Sequence, residues 1–123
     1  MCILGASWVR THILNAHPNA KVAVLVVWLP MLAGDSRSAW DSHVLDDPRV
    51  VEFWDGNRLA GRWLNDKRLG GLGYPGGIVW DAYYAFSKHS TWTSEPTGLL
   101  TAGSDIIDNV SGLEHRFAPL LRG

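Results

Sequence analysis

Cys2 is the only cysteine of the chain and the first residue with reactive chemistry. Apolar residues follow it at spacings of three and four, through Ala6, Val9 and Ile13, which predicts a helix over residues 2–16. The amides and dipole of a helix N-terminus stabilise a thiolate, so Cys2 is a candidate catalytic thiol whose second sulfur must come from elsewhere. Its place on the apolar side of that helix favours the alternative, a buried and inert cysteine.

Asp81 is the second candidate catalytic residue. Ile78 to Phe86 is a predicted strand, in which alternation places Asp81 on the face opposite Trp80. On a covered face, Asp81 would accept a proton from a nearby thiol. On an open face, it is an ordinary surface carboxylate.

Side chains of the types that commonly ligate metal ions are most concentrated at Asp41, His43, Asp46 and Asp47. Their spacing matches neither a zinc nor a calcium pattern, so we expect a solvated surface rich in helix caps, with no metal and no cofactor. No serine lies in a Gly-X-Ser-X-Gly context, which gives hydrolase chemistry little support.

Length and charge limit the class of protein. A chain of 123 residues with 46% hydrophobic and 19% charged residues predicts one globular domain over residues 1–123. The formal net charge of −1, with basic and acidic residues interspersed, argues against nucleic-acid binding. The apolar run from Val22 to Ala33 is too short for a membrane helix, and the N-terminus is unlike a signal peptide, so we expect a cytoplasmic protein without membrane contact.

The first half of the chain predicts helices around one strand. The helix over 2–16 ends at His17-Pro18, and the β-branched stretch from Lys21 to Leu32 predicts a strand covered on both faces. A short helix carrying Ala39, Trp40 and Val44 comes next. Asp47-Pro48 predicts the start of another helix with Val50, Phe53 and Trp54 on its apolar side, and a hairpin at Asp55-Gly56 is the alternative.

The second half predicts two antiparallel strands and a helix. The strands are Ile78 to Phe86 and Thr97 to Ile107, joined by a polar loop. Ser111 and Glu114 match a capping box, which predicts a C-terminal helix stopped near Pro119. We therefore predict an α/β fold.

Seven tryptophans are unusual for this length. Those inside predicted elements are expected to pack in the core or at its rim, whereas Trp63 and Trp92 are less constrained. An exposed aromatic patch would instead favour a binding surface or an oligomer interface.

The order of these elements resembles that of bacterial proteins of the thioredoxin-like superfamily, distantly similar to thiol peroxidases and thiol-disulfide oxidoreductases. The resemblance extends over four stretches, Gly5 to Val9, Val24 to Met31, Asp47 to Asp55 and Val79 to Tyr83. The resemblance implies a two-layer or three-layer sandwich in which helices flank a mixed sheet, with the first core strand and the first cysteine missing ahead of Met1. A fragment, two copies that complete each other's sheet, and a rearranged smaller sheet are three explanations.

The resemblance also implies roles for single residues. Cys2 corresponds to a resolving cysteine, and Pro75 to the proline that precedes the third core strand, so that Tyr74, Pro75 and Trp80 would border the substrate. The first functional hypothesis is thiol-disulfide redox chemistry with a thiol partner protein. The second is a non-catalytic binding module that assembles into a homo-oligomer, since an open sheet is readily completed by another copy.

Overall fold

The computed structural model describes residues 3–30, 45–73 and 76–121 and contains both helices and small sheets. The α/β class is therefore confirmed. The longer elements are helix α1 (Ile3–Val9), strand β1 (Val24–Trp28), strand β2 (Val50–Trp54), helix α2 (Leu59–Lys67), strand β3 (Ala82–Phe86) and strand β4 (Leu99–Ser104). A π-helical turn over Arg10–Leu14 prolongs α1, and a helical C-terminal segment comprises Leu113–Phe117 and Ala118–Leu121.

The described strands form two separate sheets of two strands each. β1 pairs with β2 in parallel, with Val24 opposite Val50 and Trp28 opposite Trp54, and β3 pairs with β4 antiparallel. The antiparallel pair confirms the predicted hairpin. The helix predicted from Asp47-Pro48 is wrong over Val50–Trp54, because this β-branched and aromatic stretch bonds to β1 as a strand.

Asp55 directs the chain from the end of β2 into a helix. Its carboxylate accepts hydrogen bonds from the backbone N–H groups of Leu59 and Ala60, at 3.0 and 2.8 Å, and so caps the N-terminus of α2. The alternative of a hairpin at Asp55-Gly56 is therefore also wrong. α2 ends at Arg68, which is in the left-handed conformation.

Close backbone approach fixes α2 against the segment that precedes β3. The carbonyl of Gly61 accepts a hydrogen bond from the Val79 N–H at 2.9 Å. A Cβ at Gly61 would lie 2.8 Å from the Val79 carbonyl oxygen and 2.7 Å from a methyl group of Ile78. Only glycine therefore fits this contact without displacement of the backbone.

The N-terminal helix contributes to both hydrophobic clusters. Ala6 and Leu14 pack with Trp28 and Leu45 beneath the β1–β2 sheet. Ile13 packs in the second cluster, which comprises Ile13, Ala85, Leu113 and Ala118 and joins β3 to the C-terminal segment. The helix predicted over residues 2–16 is confirmed from Ile3 to Leu14, and its central place explains why its apolar residues spread over more than one side.

Candidate functional site: an exposed apolar sheet face

Three of the predicted site residues, Cys2, Tyr74 and Pro75, lie outside the described residues. Trp80 is described and is half-buried. The structure therefore does not test whether these side chains meet in one site.

Asp81 does not lie in a strand, and its predicted position on the face opposite Trp80 is wrong. β3 begins one residue later, and Asp81 is in the left-handed conformation with φ of 48°. Its Oδ1 accepts a long hydrogen bond of 3.4 Å from the Ile106 N–H. These contacts indicate that Asp81 shapes the turn before β3, because aspartate tolerates left-handed backbone better than most residues.

Of the four residues predicted to form a solvated surface, Asp41 and His43 lie outside the described residues and Asp46 is exposed. Asp47 forms a bidentate ion pair with Arg49, in which the Nε–Oδ1 and Nη2–Oδ2 distances are both 2.9 Å. Within residues 3–30, 45–73 and 76–121, no three histidine, cysteine, aspartate or glutamate side chains are placed to hold a metal ion.

Arg49 connects the end of the N-terminal helix to the start of β2. Its guanidinium donates hydrogen bonds to the carbonyls of Leu14, His17 and Ala20, at 2.9, 2.8 and 2.9 Å. Because a guanidinium donates along several directions in one plane, it holds the two segments together. These donors are engaged inside the protein, so we assign the Asp47–Arg49 pair a structural role.

The Asp47–Arg49 pair also changes the ionisation of Asp47. The side-chain hydrogen bonds from Arg49, followed by the one from its backbone N–H, lower the pKa of Asp47 from 3.8 to about 2. The hydrogen bonds to Asp47 in turn raise the pKa of Arg49. The ion pair therefore persists well below neutral pH.

Among the residues that the structure describes, the outer face of the β1–β2 sheet carries four exposed apolar side chains. Alternate residues Val24, Val26, Val50 and Trp54 pack toward the first hydrophobic cluster. Those between them point away and are exposed: Leu25 by 71%, Val27 by 43%, Val51 by 50% and Phe53 by 49%. We call Leu25, Val27, Val51 and Phe53 the apolar face. The prediction that the strand from Lys21 to Leu32 is covered on both faces is wrong for this side.

The register makes the apolar face continuous. Leu25 is the partner of Val51 and Val27 is the partner of Phe53 across adjacent parallel strands. Side chains on neighbouring strands are about 4.8 Å apart, so the four side chains form one patch. None of the four carries a charge or a hydrogen-bonding group in its side chain.

A second exposed group consists of two indole rings. Trp63 of α2 stacks on Trp92 of the β3–β4 loop at 5.4 Å between ring centroids, and Trp92 is 60% exposed. Lys67 lies 5.9 Å from the Trp63 centroid and pairs with Glu95 at 3.5 Å. Trp28 is buried and Trp8, Trp54 and Trp80 are half-buried, in agreement with core or rim packing.

The apolar face was missed in the sequence because Val50–Trp54 was assigned to a helix. The signal was present, since Val51 and Phe53 alternate with Glu52 as they would on a strand. No family model, curated protein or solved structure matches the chain. None of the described helices is long and apolar enough to span a membrane.

Proposed function

We propose that this protein is a non-catalytic binding and assembly module that docks another protein through the apolar face. The observation that carries the proposal is the exposure of Leu25, Val27, Val51 and Phe53 on one side of a parallel strand pair. Parallel sheets are normally covered on both faces, so an apolar face that is exposed within the described part of the chain marks a place where another surface packs.

The chemistry of the apolar face defines its partner. The exposed fractions of the four side chains in the apolar face add up to about two fully exposed side chains. Their burial against a partner would contribute about 3–6 kcal/mol to the free energy of binding from this side of the interface. The patch offers no charge and no hydrogen bond, so a polar or charged partner would lose hydration without compensation. A flat, neutral and apolar protein surface fits it.

The first experiment measures whether the apolar face is accessible. In a Cys2→Ser background, Leu25→Cys and Val27→Cys thiols should react with a maleimide at rates near those of a small free thiol, at protein concentrations too low for association. Val26→Cys is the matched control, because Val26 is half-buried on the inner side of the same strand, and we expect it to react at least tenfold more slowly. Slow labelling at Leu25 and Val27 in the monomer would mean that the chain itself covers the face, and the proposal would be wrong.

The second experiment removes the apolar surface. The double variant Leu25→Ser with Phe53→Ser should lose most of the native protein's binding of a hydrophobic fluorescent dye. We expect little loss of thermal stability, because the two residues are 71% and 49% exposed. Leu120→Ser is the control, since Leu120 is 62% exposed and lies in the C-terminal segment. Dye binding that falls equally in the control would contradict the proposal.

The thioredoxin-like relationship and the redox role of Cys2 stay predictions. Alkylation of the native protein across pH tests the redox role, and a Cys2 thiol that stays unreactive in all non-denaturing conditions would contradict it.

A further inference from the structure

Large and small side chains alternate within the apolar face. The register pairs Leu25 with Val51 and Val27 with Phe53, so the two larger residues, Leu25 and Phe53, occupy one diagonal of the patch. The two valines occupy the other diagonal. Facing layers interdigitate best when large residues meet small ones, and this pattern allows the patch to meet itself.

We propose that the partner of the apolar face is a second copy of the same chain, packed face to face about a two-fold axis. The inference rests on the docking function proposed above. An axis through the centre of the patch and along the strands places Leu25 of one copy over Val51 of the other, and Val27 over Phe53. An axis across the strands places Leu25 over Val27 and Val51 over Phe53, so every large side chain again meets a valine.

The absence of charged side chains from the apolar face also supports a second copy of the chain as its partner. Two identical faces bring like charges together wherever charges are present, and self-association is then opposed. Leu25, Val27, Val51 and Phe53 are uncharged, and Ala23, an exposed residue just ahead of β1, is uncharged as well. The apolar face therefore has no electrostatic barrier against its own copy.

The size of the patch indicates a weak and reversible dimer. Stable interfaces bury about 800 Å² per partner, with about 20–30 residues on each side, which is much more than four side chains supply. We therefore expect a dissociation constant for the dimer of about 10–500 μM, a range that sedimentation equilibrium of the full chain covers.

The test uses opposite charges at one position. Val27→Lys and Val27→Glu should each remain monomeric at concentrations where the unchanged protein dimerises, because each copy would carry the same charge into the interface. An equimolar mixture of the two variants should regain dimer, since either axis offsets the two Val27 positions by only about 5–7 Å in the plane of the interface, where unlike charges attract. The matched control places the same two charges at Leu120, where neither variant should alter association.

A milder variant, Phe53→Ala, removes apolar contact without adding charge and should weaken dimerisation at least tenfold, with circular dichroism reporting that the fold is retained. Protein that stays monomeric at every concentration would overturn the second copy as partner, as would a mixture of the Val27 variants that regains no dimer. Dimerisation unaffected by either charge at Val27 would also overturn it. If rapid labelling at Leu25 accompanies a monomer, the docking proposal stands with another partner, so the two failures are distinguishable.

Discussion

Replacement of Arg49 by alanine should destabilise the protein more than replacement of any exposed arginine. Arg49 donates to three backbone carbonyls, at Leu14, His17 and Ala20, and its side chain is only 17% exposed. A hydrogen bond from a charged group contributes about 1.5–3 kcal/mol, and water can restore part of that at a site near the surface. We therefore expect the free energy of unfolding to fall by about 2–4 kcal/mol.

Urea denaturation followed by tryptophan fluorescence measures this loss. With a urea slope of about 1.5–2 kcal/mol/M for a chain of this size, the midpoint should fall by about 1–2.7 M, without a change in slope. Arg49→Lys should recover only part of the stability, because an ammonium cannot bind Asp47 in two places while it also reaches these carbonyls. Arg62→Ala is the control, since Arg62 is exposed on α2. A urea midpoint for Arg49→Ala equal to that of Arg62→Ala would refute the structural role assigned to Arg49.

Three further predictions concern single residues. The pKa of Asp47 is lowered from 3.8 to about 2 in the folded protein, so the stability contributed by its charged form is complete above pH 3.8 and is lost as pH falls toward 2. Asp47→Asn should remove this part of the acid unfolding transition measured by circular dichroism. An acid unfolding midpoint that is the same in Asp47→Asn and in the unchanged protein would contradict this prediction. Gly61→Ala should lower the free energy of unfolding by about 1–3 kcal/mol in thermal or urea denaturation, because the added Cβ meets the Val79 carbonyl oxygen. Gly76→Ala is the control and should not lower it, because nothing lies within 4 Å of the Cβ position there. Equal stabilities of the two variants would show that the contact between Gly61 and Val79 is loose. Asp81→Ala should be less stable than Asp81→Gly by about 1 kcal/mol, because φ at this position is 48°, and the reverse order would argue against a turn-forming role.

The sequence by itself determined the elements whose signals are local. Apolar spacing of three and four residues defined the N-terminal helix, β-branched residues defined β1, and two apolar runs around a polar loop defined the β3–β4 hairpin. Each of these depends on neighbours along the chain, so periodicity was sufficient. The sequence analysis did not predict α2, although Asp55, the side chain that caps it, is of a residue type that favours helix N-termini.

Only the tertiary structure decided the nature of Val50–Trp54 and therefore the exposed site. This stretch has apolar residues that suit either a helix side or a strand, and its hydrogen bonds to β1, more than twenty residues earlier in the chain, select the strand. The same separation hides the role of Arg49, whose carbonyl partners lie 29 to 35 residues away. Whether a strand face is covered depends on which other elements reach it, and no pattern within Val24–Trp28 or Val50–Trp54 contains that information.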